Sequence, residues 1–289
     1  TRRSKSAMFL TGETTSMPCS SSICRLMSRA KRSTWSALAA CSSGSGGGSD
    51  LESVKQGGVL RVATEGTYSP FSFHDPKTNA LTGYDVEVAK AVADKLGVKV
   101  EYVETPWDAI FAGLAADRYD VVVNQVTKNP ERAGLYGLST TYTWSEGVIA
   151  TRANDSSVTS LASLKGKTSA QSLTSNWAKV AKDAGAQVES VEGFTQAITL
   201  LKQSRVDATV NDSLAVLDYQ KSTGDQTVKV SAKTGDVSEQ VVATRKGSDL
   251  VAAIDKALAD LKADGTLAKI SQKYFSADVS KQPAAAAAS

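Results

Sequence analysis

Asp120-Val-Val-Val-Asn-Gln-Val-Thr-Lys-Asn-Pro-Glu-Arg132 is the stretch from which the architecture is read. Three β-branched valines after a polar Asp120 have the composition of a buried strand in a parallel sheet, and Asn124-Gln-Val-Thr127 is where that strand is expected to run out. Arg132 comes five residues after Thr127, past an Asn-Pro turn. Ligands of open α/β sheets collect beyond the carboxyl ends of the strands. The amides of Asn124 and Gln125, Val126 beside them, the Thr127 hydroxyl and the Arg132 guanidinium therefore arrive where a small anion would sit. A carboxylate is the obvious candidate. An arginine just past such a turn is more often a solvated surface residue, so this reading needs a second support.

The support is a second copy. Laying Trp107-to-Asn124 over Phe194-to-Asn211 aligns Trp107 with Phe194, Leu114 with Leu201, Arg118 with Arg205, Asp120 with Asp207, Val123 with Val210 and Asn124 with Asn211. Each copy reads as an amphipathic helix, an Arg-X-Asp connection and a strand ending in Asn, which is half of a βαβ unit. The chain is therefore expected to hold two α/β lobes of related build. Arg132 follows the first strand and Asp212 the second. Opposite charges at the mouths of two sheets suit a ligand carrying both signs, its carboxylate on Arg132 and its ammonium on Asp212. Asp212 reads equally well as the N-cap of a helix over 213–221, and the two roles are compatible.

Further motifs carry a resemblance. Glu65-Gly-Thr-Tyr-Ser-Pro-Phe-Ser-Phe73, Leu81-Thr-Gly-Tyr-Asp-Val-Glu-Val-Ala89, Asn124-Gln-Val-Thr127, Leu164-Lys-Gly-Lys167 and Lys262-Ala-Asp-Gly-Thr-Leu267 occur in order from about Gly57 to about Asp278. Together they resemble the polar amino-acid family of extracellular solute-binding proteins, with the first and third pieces most like its cystine-binding branch. The resemblance implies a type II periplasmic-binding-protein-like α/β fold with two parallel-rich sheets joined by a two-segment hinge. It further implies that Arg132 takes the ligand α-carboxylate with Thr127 as a hydroxyl donor, that Asp212 accepts the α-ammonium, and that Thr174 and Ser175 lie at an anion-favouring helix start. Where the family usually has Gly before that pair, this chain has Leu173. Tyr68 and Trp107 fall on positions flanking the ligand side chain, although an aromatic is more often core than pocket. Phe73 is a weaker candidate of the same kind. Glu65 is placed either to receive a polar or cationic side-chain group or as a solvated strand-end acid, and Gln125 either points into the pocket or supports it.

Composition fits this picture. The chain has 289 residues, is 41% hydrophobic and 22% charged, and carries a formal net charge of +3. That excess is local: the first 41 residues hold seven basic groups against Glu13, leaving 26 basic and 29 acidic from Ser42 onward. A basic footprint for nucleic acid is absent. All three cysteines, Cys19, Cys24 and Cys41, precede the domain, so no disulfide is expected to staple the core. Leu38-Ala-Ala-Cys41, after a short apolar run and Arg29-Ala-Lys-Arg32, resembles the lipobox of bacterial lipoproteins, which implies lipidation of Cys41. The expected organisation is a leader over 1–41, a Gly/Ser-rich linker over 42–56, one lobe over 57–147 and 245–278, a second over 148–244, and a disordered tail over 279–289. Gly147–Thr151 and Val241–Arg245 are expected as the crossover segments of the hinge.

Catalysis is poorly supported. His74 is the single histidine and sits beside Asp75-Pro76, the domain has no cysteine nucleophile, and no Gly-rich phosphate loop occurs. Neither metal nor cofactor is expected. The implied function is an amino-acid receptor, with cystine first, that delivers to an ABC transporter permease as a lipid-anchored monomer. The rival on the same fold is a periplasmic dehydratase acting on a cyclohexadienyl amino acid. A sensor domain would need a transmembrane helix or an output domain.

Overall fold

The computed structural model describes residues 49–283. The expected leader with Cys41, the first part of the linker and positions 284–289 lie outside the described residues. The linker expectation fails from Ser49 on. Ser49 caps helix α1 (Asp50–Gly57) by accepting the Glu52 N–H, and Gly58, at φ 68°, closes it in the left-handed region that glycine tolerates. Val54 is buried under α1, and Asp50 pairs with Arg245 at 3.0 Å. The Gly-Ser composition that argues for a tether ends where acidic first-turn residues and an apolar face begin.

The first lobe starts with β1 (Val59–Thr64), which continues through the small antiparallel sheet β2 (Thr67–Tyr68), β3 (Ser72–His74) and β4 (Leu81–Thr82). Helix α2 (Tyr84–Leu96) stops at Gly97, and β5 (Lys99–Glu104), α3 (Trp107–Ala115) and β6 (Val121–Thr127) follow. β1 lies between β5 and β6 and is parallel to both. The strand expected to end at Asn124 runs on to Thr127, because β6 also pairs antiparallel with the returning chain as far as Thr127. The Asn-Pro turn proves to be a helix start. Asn129 caps α4 (Pro130–Leu135) by accepting the Arg132 N–H at 2.8 Å, with Pro130 in the first turn.

Beyond β7 (Tyr136–Leu138), the chain leaves the lobe along β8 (Thr143–Arg152). The second lobe holds β9 (Thr168–Gln171), α5 (Asn176–Asp183), β10 (Gln187–Ser190), α6 (Phe194–Lys202), β11 (Thr209–Asp212) and α7 (Ser213–Thr223). β9 pairs parallel with β10 and bridges to the start of β11 through Ser169 and Ala208.

The internal repeat is structural down to single hydrogen bonds. α3 ends with Arg118 N–H donating to Gly113 O at 3.0 Å, and α6 with Arg205 N–H donating to Leu200 O at 3.0 Å. Asp117 and Ser204, at φ 55° and 58°, make the same left-handed exit. Asp120 then accepts the Arg61 N–H from β1 at 2.8 Å, and Asp207 the Thr168 N–H from β9 at 2.8 Å. In each copy the aspartate accepts a backbone N–H of the neighbouring strand, which accounts for its recurrence.

The hinge is longer than the two short segments expected. β12 (Val228–Arg245) contains the return segment and starts well before it, bending at register shifts between Val230 and Ala232, Lys233 and Val237, and Val241 and Ala243. It pairs antiparallel with β8 on one side and β6 on the other, so the strand order β11-β8-β12-β6-β1-β5 runs unbroken from lobe to lobe. The parallel strands of each lobe are thus joined through antiparallel ones. Helices α8 (Leu250–Ala263) and α9 (Thr266–Phe275) finish the first lobe, burying Leu250, Ile254, Leu258 and Leu261. Positions 279 and 280, expected in the tail, belong to the packed structure: Val279 C=O accepts the Trp144 N–H at 2.8 Å and Ser280 is buried.

Candidate functional site

Strand ends and helix starts from both lobes meet around a partly open cavity. Glu65, Tyr68, Trp107, Asn124 and Gln125 line it from the first lobe, and Gln171, Ser175, Phe194 and Asn211 from the second. Asn124 is fully buried and organises the end of β6. Its Oδ1 accepts the Thr64 hydroxyl and the Glu65 N–H, both at 2.9 Å, while its Nδ2 donates to Glu65 Oε2 at 2.6 Å. Glu65 is therefore part of the cavity wall and not a solvated strand-end acid. Burial is the main cause that lifts its pKa to about 7, against the lowering effect of Asn124.

Gln125 adopts φ 49°, rare for a side chain with a Cβ. Its backbone N–H and its Nε2 donate to the two oxygens of Asp85, at 2.8 and 2.7 Å. The Gln125 Oε1 is buried without a hydrogen-bond partner, and so is the Trp107 indole N–H on the same cavity. One free acceptor and one free donor thus face burial at the cleft.

Arg132 lies on a second cavity with Asp108, Phe111, Tyr136, Thr174 and Lys179. Ser175 and Asn176 border both cavities. The Arg132 guanidinium stacks over Trp107 and Phe111, with Cζ 5.2 and 5.5 Å from the ring centroids, and donates to Thr127 O at 2.8 Å. It is 6% exposed, and burial lowers its pKa to about 10. Among the described residues, Arg132 takes part in no ion pair.

Asp212 borders neither cavity. One carboxylate oxygen caps α7 by accepting the Leu214 N–H at 2.9 Å. The other accepts the Ser145 hydroxyl and, at 3.4 Å, the Gln240 amide. Burial raises its pKa to about 6. In this arrangement the two charges do not border one cavity: Arg132 stacks over Trp107 on the second cavity, and Asp212, next to Asn211, borders neither. The reason is that the lobes touch each other directly. Tyr68 donates from its hydroxyl to Asn211 Oδ1 at 2.7 Å, and that same oxygen accepts the Asp212 N–H at 2.7 Å.

Thr174 and Ser175 do stand at a helix start. Ser175 caps α5 by accepting the Ala178 N–H at 3.0 Å. Thr174 grips a carboxylate, that of Asp108 from the other lobe, through its N–H at 3.0 Å and its hydroxyl at 2.7 Å. Leu173 donates its N–H to Asp108 at 3.3 Å while its side chain is 49% exposed, so the substitution for glycine leaves the backbone free to approach an acid. Besides Asp212, three expected residues border neither cavity, namely Phe73, Val126 and Thr127. Phe73 lies on β3, and Val126 is packed in the core beside Trp107. Thr127 contributes its carbonyl to Arg132.

Sequence reading missed Asp85, Asp108 and Asn211. Asn211 was marked by its alignment with Asn124 but not followed up. Asp85 and Asp108 resembled ordinary acids in a helix first turn, and only their partners about 40 and 66 residues away distinguish them. Among the described residues, no group of three or more His, Cys, Asp or Glu side chains is arranged to hold a metal ion, and no helix is long and apolar enough to cross a membrane.

The model of the bacterial extracellular solute-binding proteins, family 3, matches residues 60–277. The chain belongs to that family. Among curated proteins it is 51% identical to the L-cystine-binding protein TcyA of Bacillus subtilis (strain 168), over 85% of this chain and 94% of that protein. Among solved structures, the L-cystine solute receptor of Neisseria gonorrhoeae in its unliganded open conformation is 48% identical, with 81% of this chain and 100% of that one covered, and a TM-score of 0.56. An ancestral arginine-binding protein bound to arginine is less similar in sequence, at 39%, yet superposes with a TM-score of 0.71 over 75% of this chain and 98% of that one. The matches of this family 3 protein are solute-binding proteins and not enzymes, which sets aside the dehydratase reading.

Proposed function

We propose that this solute-binding protein is the receptor of an ABC importer for a polar amino acid, with cystine as the ligand, and that it hands the ligand to a membrane permease. The observation that carries the reading is buried charge of both signs without counter-ions. Arg132 is buried against the Thr127 carbonyl and the faces of Trp107 and Phe111, Glu65 is half-buried against the Asn124 amide, and Asp212 is buried among an amide and a hydroxyl. A buried unpaired charge costs several kcal/mol in rough terms, and a zwitterion supplies partners for both. The ligand carboxylate pairs with Arg132 and accepts from the Trp107 indole. Its ammonium enters where Tyr68 now meets Asn211, above Asp212, and Glu65 receives a second polar group. The identity with TcyA and the fit of Glu65 to a distal ammonium support cystine. Thr174 and Ser175 supply further donors once Asp108 yields to the ligand. The protein acts as a monomer anchored through lipid on Cys41.

The test is a thermal-shift panel of amino acids followed by calorimetry. A ligand at about a hundred times its Kd stabilises by about 2.7 kcal/mol, so L-cystine should give the largest shift. Arg132→Ala and Asp212→Ala should each weaken binding by about 100-fold or more, the loss typical of removing one partner from a buried charge pair. Wild-type affinity in either variant removes that residue from the site, and a shift with another amino acid but none with L-cystine overturns the ligand assignment.

A further inference from the structure

Asp85 is fully buried in the first turn of α2, and it is not one of the residues that line the cavity. Its carboxylate nevertheless accepts three hydrogen bonds behind the cleft. Oδ2 accepts the backbone N–H of Gln125 at 2.8 Å, and Oδ1 accepts Gln125 Nε2 at 2.7 Å and the Tyr142 hydroxyl at 2.9 Å. Tyr142 is itself fully buried, with its hydroxyl 3.5 Å from Gln125 Nε2. Every one of these contacts is a donor aimed at Asp85, as a carboxylate requires.

The consequence falls on the other branch of the Gln125 amide. A primary amide carries donors on one side and an acceptor on the other, and its orientation follows from its surroundings. With nitrogen turned to Asp85, the oxygen is the group left over. Gln125 Oε1 is buried and has no partner, on a residue that borders the cavity and is only 6% exposed. The same acid holds the Gln125 N–H, and with it the left-handed backbone at φ 49° by which β6 delivers this side chain. A strained position of this kind persists only where its surroundings over-determine it.

We propose that Asp85 is a positioning residue for ligand recognition: it fixes the Gln125 amide with nitrogen inward, so that Gln125 Oε1 accepts an N–H from a protonated amine in the cleft. This rests on the amino-acid receptor reading above and assigns one of its acceptors a cause. Asp85→Asn inverts the arrangement. The new amide oxygen still accepts the Gln125 backbone N–H, but its nitrogen now faces the Gln125 side chain and demands an acceptor. Gln125 answers by turning its oxygen inward, and the cavity receives an NH2 group that repels an ammonium.

The experiment is calorimetric titration with L-cystine of the wild type, Asp85→Asn, Gln125→Leu and the double variant. ¹⁵N spectra of the Gln125 side-chain amide, assigned by its absence in Gln125→Leu, are recorded without ligand. Each single variant should weaken binding by about 10- to 100-fold, the worth of one hydrogen bond to a charged group. The double variant should lose no more than the worse single, because Asp85 acts through Gln125. The amide protons should exchange slowly in the wild type and faster in Asp85→Asn. Wild-type affinity in folded Asp85→Asn, additive losses, or an unchanged amide resonance would overturn the proposal. If Asp85→Asn does not fold, wild-type affinity in Gln125→Leu overturns it alone. If the wild type does not bind L-cystine, the ligand assignment falls while the amide resonance still decides the orientation.

Discussion

Half-buried Glu65 and fully buried Asp85 and Asp212 are carboxyl groups near one cleft that form no ion pair among the described residues, and desolvation pushes their pKa values to about 7, about 7 and about 6. A raised pKa means that the folded protein binds protons more tightly than the unfolded chain does. The stability these groups contribute is therefore present below the ordinary carboxylate range and lost as pH rises through about 6 to 7. Exposed acids such as Asp225 and Asp264, whose pKa values are lowered mainly by hydrogen bonds to lysine, act with the opposite sign but below that window. The ligand-free protein should therefore melt at a higher temperature near about pH 5 than near about pH 8, and Glu65→Gln should flatten that slope. A ligand ammonium favours the ionised acids, so binding should release protons and tighten toward about pH 8. Calorimetry in two buffers of different ionisation heat reads the release; affinity that improves on acidification would contradict it.

At the scale of the element, α3 presents Trp107 and Asp108 to the cleft, and its own placement depends on Gly113. A Cβ there would lie 2.2 Å from the hydroxyl oxygen of Tyr119, a fully buried ring whose hydroxyl donates to Ile110 O in the same helix. Helix propensity favours alanine over glycine by about 1 kcal/mol, whereas overpacking costs about 1–3 kcal/mol and here also disturbs the tyrosine hydrogen bond. Gly113→Ala should accordingly lower the urea midpoint. Gly134→Ala, in α4 with nothing near the new methyl, should leave it unchanged or raise it. A stabilised Gly113→Ala would mean that the Tyr119 ring moves freely. The turn that follows α3 recurs after α6 down to its left-handed residue, so this element was readable in duplicate from aligned residues such as Arg118 and Arg205. The long hinge strand β12 was not. Its middle, Ser231–Asp236, has no apolar run to signal a strand, and it is held by pairing with β8 around two register shifts.

For the whole molecule, the lobes are joined by β8 and β12 and held together by direct bonds. Tyr68 meets Asn211 at 2.7 Å, Ser69 meets Asp218 at 2.9 Å, and Asp108 meets Thr174. These contacts are few and polar, so water competes for each, and a ligand that bridges the lobes should shift the population toward the closed form. Small-angle scattering of the soluble domain should give a monomer mass and a smaller radius of gyration at saturating ligand. An unchanged radius would remove closure from the mechanism. The full chain should fractionate with membranes, and Cys41→Ser should not; equal partitioning of both would exclude the anchor.

The sequence by itself determined the two-lobed plan, the repeated helix-turn-strand unit and six residues of the cavity wall, Glu65, Tyr68, Trp107, Asn124, Gln125 and Ser175. These follow from local periodicity, strand-end chemistry and family motifs, all of which lie within short stretches. Tertiary structure decided what those residues do. That Glu65 is half-buried against Asn124, that Arg132 has no counter-ion among the described residues, that Asp212 is buried against Ser145 and Gln240, and that Asp85 and Asp108 serve the cleft are results of contacts between segments far apart in the chain. Burial and hydrogen-bond geometry set the charge and orientation of a side chain, and neither is a property of its neighbours in sequence.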